Sequence, residues 1–320
     1  MKRKGNLYNI VCDINTLYLA DSIARLGKEN QYGVKKHDLT KEQNLLQLQA
    51  SLINKTYRTS KYSTFKVFEP KERDVSRLPY YPDRIAHHVI MIPLKPIFTS
   101  SFTADTYGNI EGRGPHKAAD KIKEVLRKDE AGTQYCLKLD IRKFYPSVDH
   151  SILKKQLRRK IKDKDMLWLL DEIIDSAPGL PIGNYTSQYF SNFYLTGFDH
   201  WIKQEKKVKY YFRYVDDIVI LASDKESLQK LFVGIREYLS IQLNLTVKSN
   251  YQIFPVAARG IDFLGYVFFH KYTLLRKSIK KRFARAISKG ASRQTLAAYW
   301  GWVKHCDGRN LINKLFKKAA

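Results

Sequence analysis

Residues 210–222 read Tyr-Tyr-Phe-Arg-Tyr-Val-Asp-Asp-Ile-Val-Ile-Leu-Ala. Two runs rich in aromatic and β-branched residues flank an acidic pair, the pattern of a β-hairpin with carboxylates at its tip. An Asp-Asp pair by itself is usually a solvated turn. Between two apolar strands the reading reverses, because buried strands ending in carboxylates are costly unless a cation neutralises them. Residues 135–141, Tyr-Cys-Leu-Lys-Leu-Asp-Ile, alternate as a strand does and bring Asp140 to its end, 76 residues before Asp216. Phosphoryl transfer on two divalent cations roughly 3.5–4 Å apart asks for such a set of two or three aspartates. Successive strand residues face opposite sides, so Asp216 and Asp217 cannot point alike. Asp216 is therefore expected to join Asp140, with Asp217 secondary.

Working outward, 6–57 reads as helical, with Leu45, Leu46, Leu48, Leu52 and Ile53 at helical spacing. A strand is predicted over 62–70 and an apolar helix around 86–94. An amphipathic helix follows at 116–128. Beyond the Asp140 strand come helices over 151–175 and 186–204. After the hairpin come a helix at 225–241 and strands at 245–254 and 261–269. The remainder reads as helical, with Ser292 and Asp307 as N-caps. The fold class expected is α+β.

Composition narrows the function. Across 320 residues Lys+Arg number 57 against 31 Asp+Glu, a net charge of +26. Such an excess suits a polyanion, whose condensed counterions are released by protein cations. From Lys271 to Ala320 there are fourteen Lys+Arg and one acid, Asp307, interleaved with Tyr272, Phe283, Tyr299, Trp300, Trp302 and Phe316. A nucleic-acid-facing lobe is expected there. Cys12, Cys136 and Cys306 are scattered, which fits neither a zinc site nor a disulfide framework and suits a reducing cytoplasm. No apolar run approaches 18 residues and no signal-peptide core follows the basic start, so no membrane partner is expected.

Leu137-Lys-Leu-Asp140-Ile-Arg-Lys-Phe-Tyr-Pro-Ser-Val-Asp-His150 resembles the first catalytic block of reverse transcriptases, and Tyr214-Val-Asp-Asp217 resembles the second. Glu69-Pro-Lys71-Glu-Arg73 is similar to their fingers block and Gly260-Ile-Asp-Phe-Leu-Gly-Tyr266 to their primer grip. The resemblance runs in order from about 60 to 270. It implies a right-hand polymerase with an N-terminal helical extension (1–60), fingers (61–134 with part of 150–185), a palm (135–270) and a basic helical thumb (271–320). It implies Asp140, Asp216 and Asp217 as catalytic metal ligands, with the backbone at Ile141. Two Mg²⁺ ions are implied, with Mn²⁺ as a substitute. By the same motifs Lys71 and Arg73 hold the triphosphate of a dNTP, and Tyr145 is the steric gate against a 2′-OH. Ile182, Gly183 and Gln188 line the nucleotide. Arg84, Phe263, Leu264, Gly265, Lys277, Lys280, Lys281 and Arg282 meet template and primer.

One block separates subgroups. Most reverse transcriptases carry Gln before the Gly and Ser-Pro after it; this chain has Leu180-Pro-Ile182-Gly183-Asn-Tyr-Thr-Ser187-Gln188. That variant resembles the enzymes of diversity-generating retroelements, as do the amino-terminal segment and the short basic tail, with no maturase, endonuclease or RNase H extension left over. The resemblance implies cDNA synthesis on a template-repeat RNA with misincorporation opposite adenines, as in mutagenic retrohoming. It also implies partnership with a small, basic, oligomeric accessory variability protein. Two alternatives are a group II intron-like reverse transcriptase and a catalytically silent RNA-binding scaffold on the same fold.

Other features read as ordinary. His87-His88 lies in an apolar helix and suits packing. Gly108, Gly112 and Gly114 around Arg113 suit a flexible turn, and Asp149-His150 lacks a nucleophile. Lys248 is a weaker candidate for proton donation to the leaving pyrophosphate.

Overall fold

Apolar spacing becomes helix through most of the first hundred residues, and alternation becomes sheet in the middle of the chain. The computed structural model describes residues 2–68 and 72–317, with backbone alone at 316 and 317. Lys71 and the side chain of Phe316 lie outside the described residues. Two compact units emerge, and neither is continuous in sequence.

The first unit comprises Met1–Thr103, Arg142–Gly197 and Leu239–Leu245. Its centre is the helix Ile85–Thr99, whose Ile85, Ala86, Val89, Ile90, Leu94 and Phe98 are fully buried. This helix continues through Pro93 and Pro96, beyond the predicted end. The predicted 6–57 helical region is four helices, Tyr8–Cys12, Ile14–Arg25, Tyr32–Asp38 and Lys41–Ile53. Leu45, Leu48 and Leu52 are its core face, whereas Leu46 and Ile53 are exposed. Strand β1 (Ser63–Val67) pairs antiparallel with β2 (Arg73–Arg77), which the sequence reading did not anticipate.

The second unit comprises Ala104–Ile141, Phe198–Tyr238 and Thr246–Ala320. Its main sheet contains β3 (Thr106–Tyr107), β4 (Tyr135–Asp140), β5 (Tyr210–Tyr214), β6 (Asp217–Ala222) and β7 (Gln252–Pro255), in the order β3-β5-β6-β4-β7. Only β3 against β5 is parallel. The helix Pro115–Lys128 buries Ala118, Ala119, Ile122 and Leu126 in the same core as Phe212, Val219 and Phe254. The predicted 261–269 strand is a hairpin instead, β8 (Ile261–Phe263) and β9 (Tyr266–Phe268), extended by β10 (Thr273–Leu275). The predicted 245–254 strand shrinks to β7 because Ser249 and Asn250, good turn formers, make a turn before it.

The tail folds as helices Lys277–Ser288, Arg293–Val303 and Arg309–Lys317. Ser292 caps the second as expected, accepting from the Thr295 N–H. Asp307 does not cap the third; its carboxylate accepts from the Thr273 N–H at 2.7 Å. The tail's aromatics mostly pack: Phe283 is buried and stacks on Tyr299 at 5.0 Å, while Tyr272 and Trp300 remain exposed. Among the described residues no helix is long and apolar enough to cross a membrane.

Candidate active site

Antiparallel pairing decides which carboxylates meet. In the β4–β6 ladder Asp140 stands opposite Asp217, and residues directly opposed on an antiparallel pair project to one face. This differs from the expected Asp140–Asp216 pairing. The hairpin spends Val215 and Asp216 on its turn, so the first residue of β6 is Asp217. Asp216 remains adjacent: its carbonyl accepts from the Ile141 N–H at 3.3 Å. The three aspartates and Ile141 thus lie at one end of the sheet.

The electrostatics there are those of an incomplete ligand set. Asp140 Oδ1 and Asp217 Oδ1 are buried without a hydrogen-bond partner. Burial, reinforced by the charges of Asp140 and Asp216 and opposed by Lys138 and Arg276, pushes Asp217 up to about 6. Lys248 donates to Asp140 Oδ2 at 2.6 Å, and its N–H donates to the Asp140 carbonyl at 2.9 Å. Lys248 is therefore tied to the site, although its side chain is partly exposed. Among the described residues no group of three or more His, Cys, Asp or Glu side chains could by itself hold a metal ion. The residues nonetheless fit a divalent cation, which would satisfy the two orphaned oxygens and lower Asp217; Mg²⁺ commonly takes one or two carboxylates plus waters and substrate phosphates.

The turn itself is strained. Val215 has φ 57, a left-handed conformation that a β-branched residue adopts at a cost on the order of 1–3 kcal/mol. It is held by Arg213, whose Nη1 donates to the Val215 carbonyl at 2.9 Å. Arg213 is fully buried and forks onto Asp199, with Nε to Oδ1 at 2.7 Å and Nη2 to Oδ2. Asp199 also accepts from Tyr211 Oη at 2.6 Å and Thr106 Oγ1 at 2.9 Å. The sequence reading passed over Arg213, although a charge inside an apolar strand was the available signal.

The candidate primer grip is the turn between β8 and β9. Leu264 and Gly265 have φ 51 and 85, the signature of a tight two-residue hairpin. A Cβ on Gly265 would stand 2.4 Å from Trp302, so only glycine fits. Phe263 is fully buried in the core, which leaves its ring no surface to offer a primer. Along Lys277–Ser288, Ile279 and Phe283 face inward while Lys277, Lys280, Lys281 and Arg282 are exposed.

The first unit holds the nucleotide-side candidates. Ile182, half-buried, accepts through its carbonyl from the Ser76 N–H at 2.8 Å. Gly183 has φ 121, and a Cβ there would stand 2.3 Å from the Ser76 carbonyl oxygen. The Ile-Gly pair therefore lies directly along β2, which carries Arg73. Alternation puts Arg73 and Arg77 on one face of β2. Arg84 is half-buried, and burial followed by the charge of Arg77 lowers its pKa. Arg77 escaped the sequence reading because β2 is largely exposed and lacks an apolar pattern. Tyr145 is half-buried in a short turn and receives a 3.4 Å hydrogen bond from Ser191 Oγ; Gln188 is half-buried on the helix Tyr185–Tyr194. His87 bonds Thr186 at 2.8 Å, His88 stacks on Tyr185, and Asp149 caps the helix His150–Lys160.

A family model described as reverse transcriptase (RNA-dependent DNA polymerase) matches residues 71–268. Protein YkfC of Escherichia coli is 23% identical over 270 residues, covering 70% of this chain and 69% of that protein. Nuclear intron maturase 1, mitochondrial, of Arabidopsis thaliana is 28% identical over 96 residues, 30% of this chain and 13% of that protein. Among solved structures, telomerase from Candida tropicalis with a TWJ fragment of telomeric RNA aligns with a TM-score of 0.53 at 12% identity. That alignment covers 80% of this chain and 56% of the telomerase, and the Candida albicans telomerase gives 0.52 at 10% identity. This likeness shows the fold, the α+β architecture of right-hand polymerases.

Proposed function

Because the chain belongs to the reverse transcriptase family, the RNA-dependent DNA polymerases, we propose that it extends a primer 3′ end along an RNA template with dNTPs. The observation that carries this reading is the opposition of Asp140 and Asp217, each with a buried unpartnered oxygen, beside Asp216. Reverse transcriptases generally use divalent metal ions; here Asp140, Asp216, Asp217 and the Ile141 backbone would hold Mg²⁺, or Mn²⁺ in its place. Bound there, the ions would supply Lewis-acid activation of the primer hydroxyl and charge neutralisation on the triphosphate. Lys248, already on Asp140, would exchange a carboxylate bond for a phosphate one or release a proton to the leaving pyrophosphate.

The remaining roles follow the resemblance. Lys71 and Arg73 bind the triphosphate, with Arg77 added because it shares a face of β2 with Arg73 and guanidinium donors suit phosphate oxygens. Tyr145 excludes a 2′-OH. Ile182, Gly183 and Gln188 line the nucleotide. Arg84, Leu264, Gly265, Lys277, Lys280, Lys281 and Arg282 serve template and primer. The division into fingers, palm and thumb at the boundaries given above belongs to the same reading.

Within the family the Ile182-Gly183 and Ser187-Gln188 block supports a diversity-generating retroelement enzyme. Such an enzyme would copy a template-repeat RNA with errors at adenines, alongside a small, basic, oligomeric accessory protein. Ile182 offers contact area where Gln would offer a hydrogen bond, a loss of about 1 kcal/mol or a few-fold in selectivity. A second reading, a group II intron-like enzyme, is favoured by the intron maturase among the relatives. Sequencing cDNA made from a defined RNA separates them. The first reading expects errors concentrated at template adenines and reduced a few-fold by Ile182→Gln; evenly spread errors, unmoved by that change, support the second. RNA binding without incorporation would support the scaffold instead.

A further inference from the structure

Resting on the polymerase reading, we infer that Arg213 is a positioning residue of the acidic hairpin. Anchored on Asp199, it fixes the peptide that precedes Asp216 and thereby sets where that carboxylate meets a divalent cation.

The Val215 carbonyl and the Asp216 N–H belong to one rigid peptide plane. Arg213 Nη1 holds that plane by its carbonyl at 2.9 Å, and the Ile141 N–H holds the next one through the Asp216 carbonyl at 3.3 Å. Asp216 is gripped on both sides, although its own residue is only half-buried. The grip needs direction as well as attraction. A guanidinium is a planar fork that engages a carboxylate with two parallel bonds and leaves a third donor aimed at a fixed angle. Here the two parallel bonds go to Asp199 and the third to Val215. Asp199 is itself immobilised by Tyr211 Oη and Thr106 Oγ1, the latter from the neighbouring strand β3.

Stability does not explain the arrangement. A fully buried ion pair can commonly be replaced by apolar residues of similar volume without loss, so core packing alone gives no reason to keep one. Steering does explain it, because Val215 at φ 57 sits in a conformation its side chain opposes. Without the fork the turn would relax toward a commoner geometry and carry Asp216 with it. Groups that orient metal ligands in this way typically change metal affinity or activity by roughly 10–100-fold when removed.

The test uses the full chain and Mn²⁺ alone as probe, with free Mn²⁺ counted by electron paramagnetic resonance in the absence of nucleotide. Asp199→Leu combined with Arg213→Met removes both charges together, and Arg213→Lys keeps the charge but loses the fork. For the folded double variant, Mn²⁺ affinity should fall roughly 10–100-fold. Its kcat for single-nucleotide incorporation should fall at least as far, while KM for template–primer stays within about threefold. Arg213→Lys should fail to restore either. A folded double variant with wild-type Mn²⁺ affinity and kcat would overturn the assignment. Should the double variant not fold, Tyr211→Phe decides, since it frees one bond on Asp199 and leaves the pair intact. A few-fold weaker Mn²⁺ binding is then expected, and unchanged binding overturns the proposal. If the wild type binds Mn²⁺ but incorporates nothing, the polymerase reading fails, while the Mn²⁺ comparison still judges Arg213.

Discussion

The second unit contains two hairpins closed by two-residue turns, and they are held by opposite means. The β8–β9 turn uses Leu264 and Gly265, both left-handed, and packs Trp302 and Ile279 against the glycine. The β5–β6 turn puts Val215 in the left-handed position, where branching at Cβ makes the conformation costlier than it is for Leu264, and holds it through a buried arginine. Apolar packing holds the turn assigned to primer contact. A directed polar network appears where the turn must present carboxylates at a set position. The contrast teaches that strain at the acidic turn is matched by a specific constraint, while the other turn follows ordinary hairpin chemistry.

The comparison breaks most sharply at the carboxylates. Asp140→Asn should lower templated incorporation by at least about 10³-fold while leaving the fold intact, measured by single-turnover extension beside a melting curve. Comparable activity in that variant would remove Asp140 from the chemistry. Next in size is Arg213→Met alone, which leaves Asp199 buried and unpaired and should cost about 3–5 kcal/mol in urea unfolding. The paired Asp199→Leu change should recover much of that cost. Equal stability of the single and double variants would deny the coupling.

Of the two turns, the acidic one carries the pH-sensitive carboxylate. Folding favours protonated Asp217, because its folded pKa of about 6 lies above the ordinary 3.8. That contribution is fully present below the ordinary value and is lost as the pH rises through about 6. In metal-free buffer, unfolding free energy attributable to this group should fall by up to about 3 kcal/mol between pH 4 and 7. Asp217→Asn should abolish that component and be the more stable protein at pH 7, and added Mg²⁺ should stabilise the wild type there. An unchanged pH profile in Asp217→Asn would locate the dependence elsewhere. The smallest effect in this series is expected at the packed turn. Gly265→Ala meets Trp302 at 2.4 Å and should lower stability by about 1–3 kcal/mol. A thermal melt matching the wild type would show that the tail helix yields instead.

Much of the site could be read in advance because its chemistry is written in neighbouring residues. The alternation on either side of Asp216 and Asp217 dictated a hairpin, and the strand ending in Asp140 was equally plain. Which aspartate faces Asp140 was not legible, since that depends on how many residues the turn consumes. Strand β2 gives no signal because its Arg, Asp and Ser residues carry no apolar period. The 261–269 run looked like one strand although Gly265 inside it marked the turn. The tail's aromatics suggested stacking surfaces, yet Phe283 serves the core, because sequence cannot distinguish a ring that meets a base from one that meets a neighbouring helix. Arg213 was visible as a charge among apolar residues, but its meaning required Asp199, Tyr211 and Thr106 in place.

The most direct test of the account is to titrate Mn²⁺ onto the wild type and onto the Asp140→Asn, Asp216→Asn and Asp217→Asn variants, and to assay templated dNTP incorporation in the same samples. The account predicts saturable binding and incorporation in the wild type, with both reduced in every variant. Equal Mn²⁺ binding across all four proteins, or incorporation that survives loss of these carboxylates, would contradict it.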